Sequence, residues 1–180
     1  VDAVITDPPY GETSLEWDRW PVGWPASVAE ITDALWCFGS MRMFFDNLPQ
    51  FEKWKFSHEV VWEKHNGSGF AADKFRRVHE FASLWYRGEW GALRHEVPTV
   101  PGAVKRTVRR KERPTHMGEI AGSRYTSVDG GDLLARSVMR VRSEHGRAVH
   151  PTQKPIGIVA PLIEYSVPVG GLVLEIGRAH

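Results

Sequence analysis

The chain has a single cysteine, Cys37, and that scarcity removes two classes of protein at once. No internal disulfide can form, and no Cys-x-x-Cys metal or redox motif exists. Cys37 stands inside the apolar stretch "LWCFGS", which marks it as a small core residue. Long apolar runs are missing too: the best candidate, "LWCFGSMRMFF", is interrupted by Arg42, far short of the roughly 20 residues a bilayer span needs. No signal peptide opens the chain and no Met precedes its first, strand-like residues, so it is expected to begin inside its domain and to be cytoplasmic. Eight histidines are present and "HE" occurs at His58, His79 and His95, yet none makes His-Glu-x-x-His, which disfavours a metal hydrolase. No metal site is expected. Internal repeats are absent, and a net charge of +1 shows no overall excess of either sign.

What remains is an ordinary globular composition, 42% hydrophobic and 25% charged over 180 residues, enough for one domain with a real core. The charge is unevenly spread. Residues 88–149 hold 12 Lys and Arg against 7 Asp and Glu, and the rest of the chain holds 11 against 15. Within this basic block, "VKRTVRRKER" gathers Lys105, Arg106, Arg109, Arg110, Lys111 and Arg113. A charge run of this kind reads either as a solvated face or as a surface for phosphates.

Hydrophobic periodicity alternates strand and helix. "VDAVIT" reads as a short buried strand, "WPASVAEITDAL" as a helix with Pro25 near its start, and "LWCFGS" as a second strand. "RMFFDNLPQFEKW" reads as a helix ended near Pro49, "FSHEVVWEK" as a strand, "NGSG" as a turn and "HEFASLWYRG" as a strand closed by Gly88. Residues 91–148, rich in Gly, Pro, Arg and Thr, show no clear periodicity and read as an insertion facing a partner. "KPIGIVAPLIEYSV" then has helical spacing and "GGLVLE" is a last buried strand. This alternation predicts an α/β fold with a mostly parallel sheet and helices on both faces.

Two short stretches carry chemistry. "DPPYG", Asp7 to Gly11, follows the first strand directly, at the carboxyl end where open α/β sheets place their ligand sites. Pro8 and Pro9 stiffen the backbone and leave their carbonyls free. Asp7 and a proline carbonyl then form a pair of acceptors beside a stacking ring, Tyr10, a set suited to a planar base with an exocyclic NH₂. As plain structure the same stretch is a strand-to-helix turn with an Asp cap. "HPTQKP", His150 to Pro155, precedes the helical stretch. Thr152 is placed to cap that helix and Pro155 to sit in its first turn, while Lys154 offers a cation to a polar or carboxylate-bearing ligand.

"DPPYG" followed, after a basic middle, by "HPTQKP" and a "GGLVL" strand resembles the β-class DNA amino-methyltransferases, which methylate adenine N6 or cytosine N4. "LWCFGS" and "VWEKHNGSGFAADKFRRVHEFASLWYRG" are similar to further segments of that family. The resemblance implies a Rossmann-like S-adenosylmethionine-dependent methyltransferase fold, incomplete at both ends. It implies a catalytic role for Asp7, Pro8, Pro9 and Tyr10 on a base flipped from double-stranded DNA. It also implies that His150, Thr152, Gln153 and Lys154 lie along S-adenosylmethionine, with Asp7 near its methyl group. Lys105, Arg106, Arg109, Arg110 and Lys111 become candidate DNA contacts. His79 and Glu80 match the family's H-E pair and read as structural. Adenine N6 is the expected target, with cytosine N4 or a non-catalytic DNA-binding remnant as alternatives; the motif order separates the chain from protein-glutamine methyltransferases.

The expected organisation is a catalytic part at 1–90, a target-recognition insertion at 91–148 and the start of a cofactor-binding part at 149–175. The family continues its last strand with an acidic residue, Pro-Phe and a glycine-rich turn, whereas this chain has "LEIGRAH" with no Gly-x-Gly after Leu174. Read back into codons, "EIGRAH" matches a widely used sequencing adapter. Residues 176–180 are therefore expected to be foreign, and the 180 residues as written to be inactive.

Overall fold

The structure, a computed structural model, describes residues 1–68, 72–110, 122–144, 146–149 and 153–176. It divides into two units, residues 1–96 with 136–180 and residues 97–135. The first unit is built on a six-stranded sheet. Its strands are β1 (Ala3–Thr6), β2 (Ala34–Gly39), β3 (Lys55–Ser68) and β4 (Arg77–Tyr86), joined by two strands from late in the chain. In chain order the second unit contributes β5 (Thr99–Pro101), β6 (Thr107–Arg110), β7 (Ser123–Thr126) and β8 (Asp132–Leu134); β9 (Val138–Val141) and β10 (Val173–Ile176) return to the sheet of the first. The order across that sheet is β10-β1-β2-β4-β3-β9. β1 pairs parallel with β10 and β2, and β3 pairs parallel with β9. Only β4 runs against the rest, antiparallel to both β2 and β3, so the sheet is mostly parallel as its alternating sequence predicts.

β1 and β2 are buried at every position because both faces are covered. Val4, Leu35 and Cys37 point to one face, where they meet helix α1 (Trp24–Val28), helix α2 (Met41–Asn47) and the 3₁₀ turn Leu48–Phe51 through Val28, Met43, Phe44 and Phe51. Ile5, Trp36 and Phe38 point to the other, against Ile158, Leu162 and Tyr165 of helix α3 (Ile156–Ser166). Trp36 Nε1 donates to Ser166 Oγ at 2.8 Å, which satisfies the one polar atom of that buried indole. Cys37 is fully buried, consistent with a core role, and burial pushes its thiol pKa well above the ordinary value.

Several elements differ from their sequence-based expectation. α1 ends at Val28 rather than running on to Leu35, because Thr32 turns its hydroxyl to the backbone of Ala34 and β2 begins there. "NGSG" is not a turn through its length, since β3 continues to Ser68. α3 begins after Pro155, which is its N-cap without a side-chain bond; Thr152, expected to cap it, lies outside the described residues. Residues 91–148 hold strands that no periodicity announces. β9 within them is the edge of the main sheet, and its exposure alternates with the single covered face of an edge strand.

The second unit is a two-stranded ribbon folded on itself. β5 pairs with β8 and, nested inside, β6 pairs with β7, both antiparallel. Between them, Gly102 N and Ala103 N donate to Gly131 O, and Ser127 N donates to Arg106 O. Among its described residues only Ala103 and Ser127 are buried.

Candidate active site

β1 ends at Thr6, and the chain turns out of the sheet through Asp7, Pro8, Pro9 and Tyr10. The loop beyond is held by one carboxylate. Asp18 accepts from Gly11 N at 2.8 Å and from both Thr13 N and Thr13 Oγ1 at 2.7 Å. Burial pushes its pKa up, but these donors outweigh burial and hold it below the ordinary carboxylate value. Gly11 sits at φ +72°, a conformation that favours glycine. Glu12 accepts from Ser40 Oγ, whose own oxygen caps α2 by accepting from Met43 N, and it pairs with Arg77 at 3.2 Å. The loop after the motif is thus tied to the end of β2 and the start of β4. Gly39 lets α2 pack close there: a Cβ on it would lie 2.0 Å from Met43 Cε and 2.8 Å from the Phe44 ring, so both side chains would have to shift.

Because β4 runs antiparallel, its beginning lies at the same sheet edge as the ends of β1, β2 and β3. Four charged side chains meet at that edge. Asp7 Oδ2 accepts from Lys154 Nζ at 2.6 Å, and Asp7 Oδ1 accepts from the Tyr10 hydroxyl at 2.9 Å. Lys154 also lies 3.3 Å from Glu80 Oε2, as a charge pair without hydrogen-bond alignment, so this buried oxygen has no donor among the described residues. Glu80 Oε1 accepts from Lys64. The side chains of Lys154 and Glu80 are each only 11% exposed, and two carboxylates balance two ammoniums. The Lys154 ammonium lies 5.2 Å from the centre of the Phe38 ring and 5.8 Å from that of Tyr10.

Two titrations are displaced by this arrangement. Burial first, then the negative charges of Asp7 and Glu80, push the Tyr10 hydroxyl pKa well above its ordinary value, so Tyr10 is a neutral donor. For Glu80, burial favours the neutral form, but Lys154 and Lys64 outweigh it and the pKa falls below the ordinary value.

The structure therefore brings Asp7, Tyr10 and Lys154 together, with Pro8 buried and Pro9 half-buried beside them. Gln153 turns back to accept from Val149 N at 2.9 Å. His150 lies outside the described residues, as do Thr152 and Lys111. Lys105, Arg106 and Arg109 are exposed in the second unit, and Arg110 adds its backbone to β6. Arg109 stands directly across the ribbon from Arg124. Sequence reasoning missed Lys64 and Phe38 and left Glu80 without a place in the site. What brings Lys64 and Glu80 in is the strand register: Trp62 pairs with Glu80 across β3 and β4, so Lys64, two residues on, shares that face and is diagonal to Glu80.

Among the described residues no group of three or more His, Cys, Asp or Glu could hold a metal ion, and no helix is long and apolar enough to cross a membrane. A family model described as DNA methylase, for N6 and N4 methylation, matches residues 1–176. Among solved structures, the crystal structure of the M1.HpyAVI–SAM complex is similar with a TM-score of 0.58 at 18% identity, over 97% of this chain and 69% of that one. The crystal structure of M1.HpyAVI alone is similar at 0.54 and 15% identity, over 97% and 68%. At such identities the likeness shows the fold, the Rossmann-like fold of methyltransferases. No curated protein matches by sequence.

Proposed function

From the premise that this chain belongs to the DNA methylase family, we propose that it transfers a methyl group from S-adenosylmethionine to N6 of an adenine flipped out of double-stranded DNA. The observation that carries the reading is the Asp7 carboxylate at the end of β1, held by Tyr10 on one oxygen and Lys154 on the other. Asp7 and the Pro8 carbonyl accept the two hydrogens of the amino group, which localises the nitrogen lone pair and aims it outward. The Tyr10 ring stacks on the base. Lys105, Arg106, Arg109, Arg110 and Lys111 contact phosphates, which positions the duplex without selecting the base.

The residues present fit the cofactor by their chemistry. The rings of Phe38 and Tyr10 already lie 5.2 and 5.8 Å from a cation, the Lys154 ammonium, and aromatic faces of this kind suit a sulfonium as well. Gln153 and Lys154, with His150 and Thr152, are the side chains proposed to hold it. When bound, it supplies a methyl carbon that the amino nitrogen takes as the carbon–sulfur electron pair returns to sulfur. Asp7 holds the amino group in line for that displacement, accepts its N–H hydrogen bond, and takes the proton that the nitrogen releases once alkylation has made it cationic and acidic, passing it on to water.

The test assays unmethylated duplex DNA with methyl-labelled cofactor and digests the product to nucleosides. It is run on the 180 residues as written and on residues 1–175 continued with the glycine-rich turn and following elements of a relative. The continued chain is expected to yield N6-methyladenine, and the 180 residues, which have no Gly-x-Gly after Leu174, to yield none. Label in N4-methylcytosine would move the target to cytosine. No label from either chain would leave a DNA-binding remnant.

A further inference from the structure

Both oxygens of Asp7 are occupied in the free chain, so a docking amino group must displace either Tyr10 or Lys154. The surroundings favour one of these. The Tyr10 hydroxyl has no second acceptor among the described residues. Lys154 has one: Glu80 Oε2 lies 3.3 Å from its Nζ, is buried, and receives no aligned donor. That oxygen is paired with Lys154 by charge but not by an aligned hydrogen bond, so a small shift of the ammonium completes the bond, and Lys64 on the other oxygen fixes the carboxylate in place.

We propose that Glu80 is a positioning residue for methyl transfer. It takes the Lys154 ammonium from Asp7 Oδ2 as the target amino group docks, so Asp7 is freed for the base while the ammonium keeps a carboxylate partner. The inference rests on the reading of Asp7 as the carboxylate that receives the amino group. The shift is short and keeps the ammonium beside the Phe38 and Tyr10 rings. The balance of two carboxylates and two ammoniums is the same before and after it.

A double-mutant cycle tests this in the continued chain. Glu80→Gln retains an acceptor for Lys64 but removes the charge that receives Lys154. It is expected to lower kcat about tenfold with the KM for DNA within about twofold, because Lys154 stays on Asp7 while phosphate contacts are untouched. In a Lys154→Met background the same substitution is expected to cost less than about twofold, since nothing is left for Glu80 to receive. Equal losses in both backgrounds, the signature of a merely structural Glu80, would overturn the proposal. A second readout needs no turnover: with 2-aminopurine at the target position, Glu80→Gln in the 180-residue chain is expected to reduce the fluorescence rise on binding while the bound fraction is unchanged. An undiminished rise counts against the proposal. Should Glu80→Gln fail to fold, Glu80→Asp replaces it, and its longer gap to Lys154 is expected to lower kcat about threefold or more; normal turnover would overturn it equally. Asp7→Ala run in parallel separates the two levels. Turnover retained by Asp7→Ala sinks the reading of Asp7 itself, whereas an inactive Asp7→Ala beside a normal Glu80→Gln sinks only the inference.

Discussion

The two units are built on opposite principles although both are largely β. In the first, β1 and β2 are buried along their whole length, and Trp36, Phe38, Ile158 and Leu162 are at most 1% exposed. In the second, Val100, Val104, Val108, Tyr125, Val128, Leu133 and Leu134 are all exposed, and backbone hydrogen bonds set the register. A two-stranded ribbon is marginal by itself in water. The contrast separates two requirements. A phenol and an ammonium each kept within 3 Å of one carboxylate need a rigid base, and burial supplies it. The phosphate contacts proposed for the ribbon need exposed side chains. Arg109 opposite Arg124 belongs to that logic, since like charges directly across a ribbon are unfavourable until an anion meets them.

The largest effects that sharpen this contrast are in stability. Trp36→Ala is expected to destabilise the chain by about 3–5 kcal/mol in urea unfolding, through a cavity between β2 and α3 and an orphaned Ser166 hydroxyl. Tyr125→Ala in the ribbon is expected to stay within about 0.5 kcal/mol. Comparable losses at the two sites would mean that the ribbon has a core of its own. Next in size is chemistry: Asp7→Ala in the continued chain is expected to lower methyl transfer about a hundredfold or more while DNA affinity holds within about twofold, because affinity rests on phosphates. A loss of affinity as large as the loss of rate would merge the roles that the comparison separates.

Smaller effects follow from charge. The Glu80 pKa is lower folded than unfolded, so its contribution to stability is present above the ordinary Glu value near 4.3 and is lost as pH falls through the folded value. The wild type is therefore expected to lose stability below about pH 4 more steeply than Glu80→Gln, measured by unfolding midpoints across pH 3–6. Parallel curves would show that Glu80 is not held by its two lysines. Last, neutralising Lys105, Arg106, Arg109, Arg110 or Lys111 singly is expected to lower the slope of log affinity against log salt by about one each, with no change in unfolding midpoint. An unchanged slope with all five neutralised removes the ribbon from the DNA interface.

How much of this was legible beforehand follows from the range of each interaction. The buried strands β1 and β2, the α3 helix and the placement of "DPPY" at a strand end depend on local pattern: continuous apolar runs, 3.6-residue spacing, and prolines that stop a strand. The sequence by itself determined these, together with Cys37 as core and Asp7 and Tyr10 as neighbours three positions apart. "GGLVLE" is a strand as expected but not a buried one, because β10 is the edge of the sheet and none of its residues is fully covered. The nested ribbon was not legible, because its strands of three and four residues are too short for periodicity to register and are held by pairing across the chain. The charge cluster was not legible for a different reason. Asp7 and Lys154 meet across 147 positions, and Glu80 faces Lys64 only because β4 runs antiparallel beside β3 in one register, where a slip of one residue would turn Glu80 to the opposite face. Strand order and register are set by how the whole core packs, so only the tertiary structure decided which two carboxylates share one lysine.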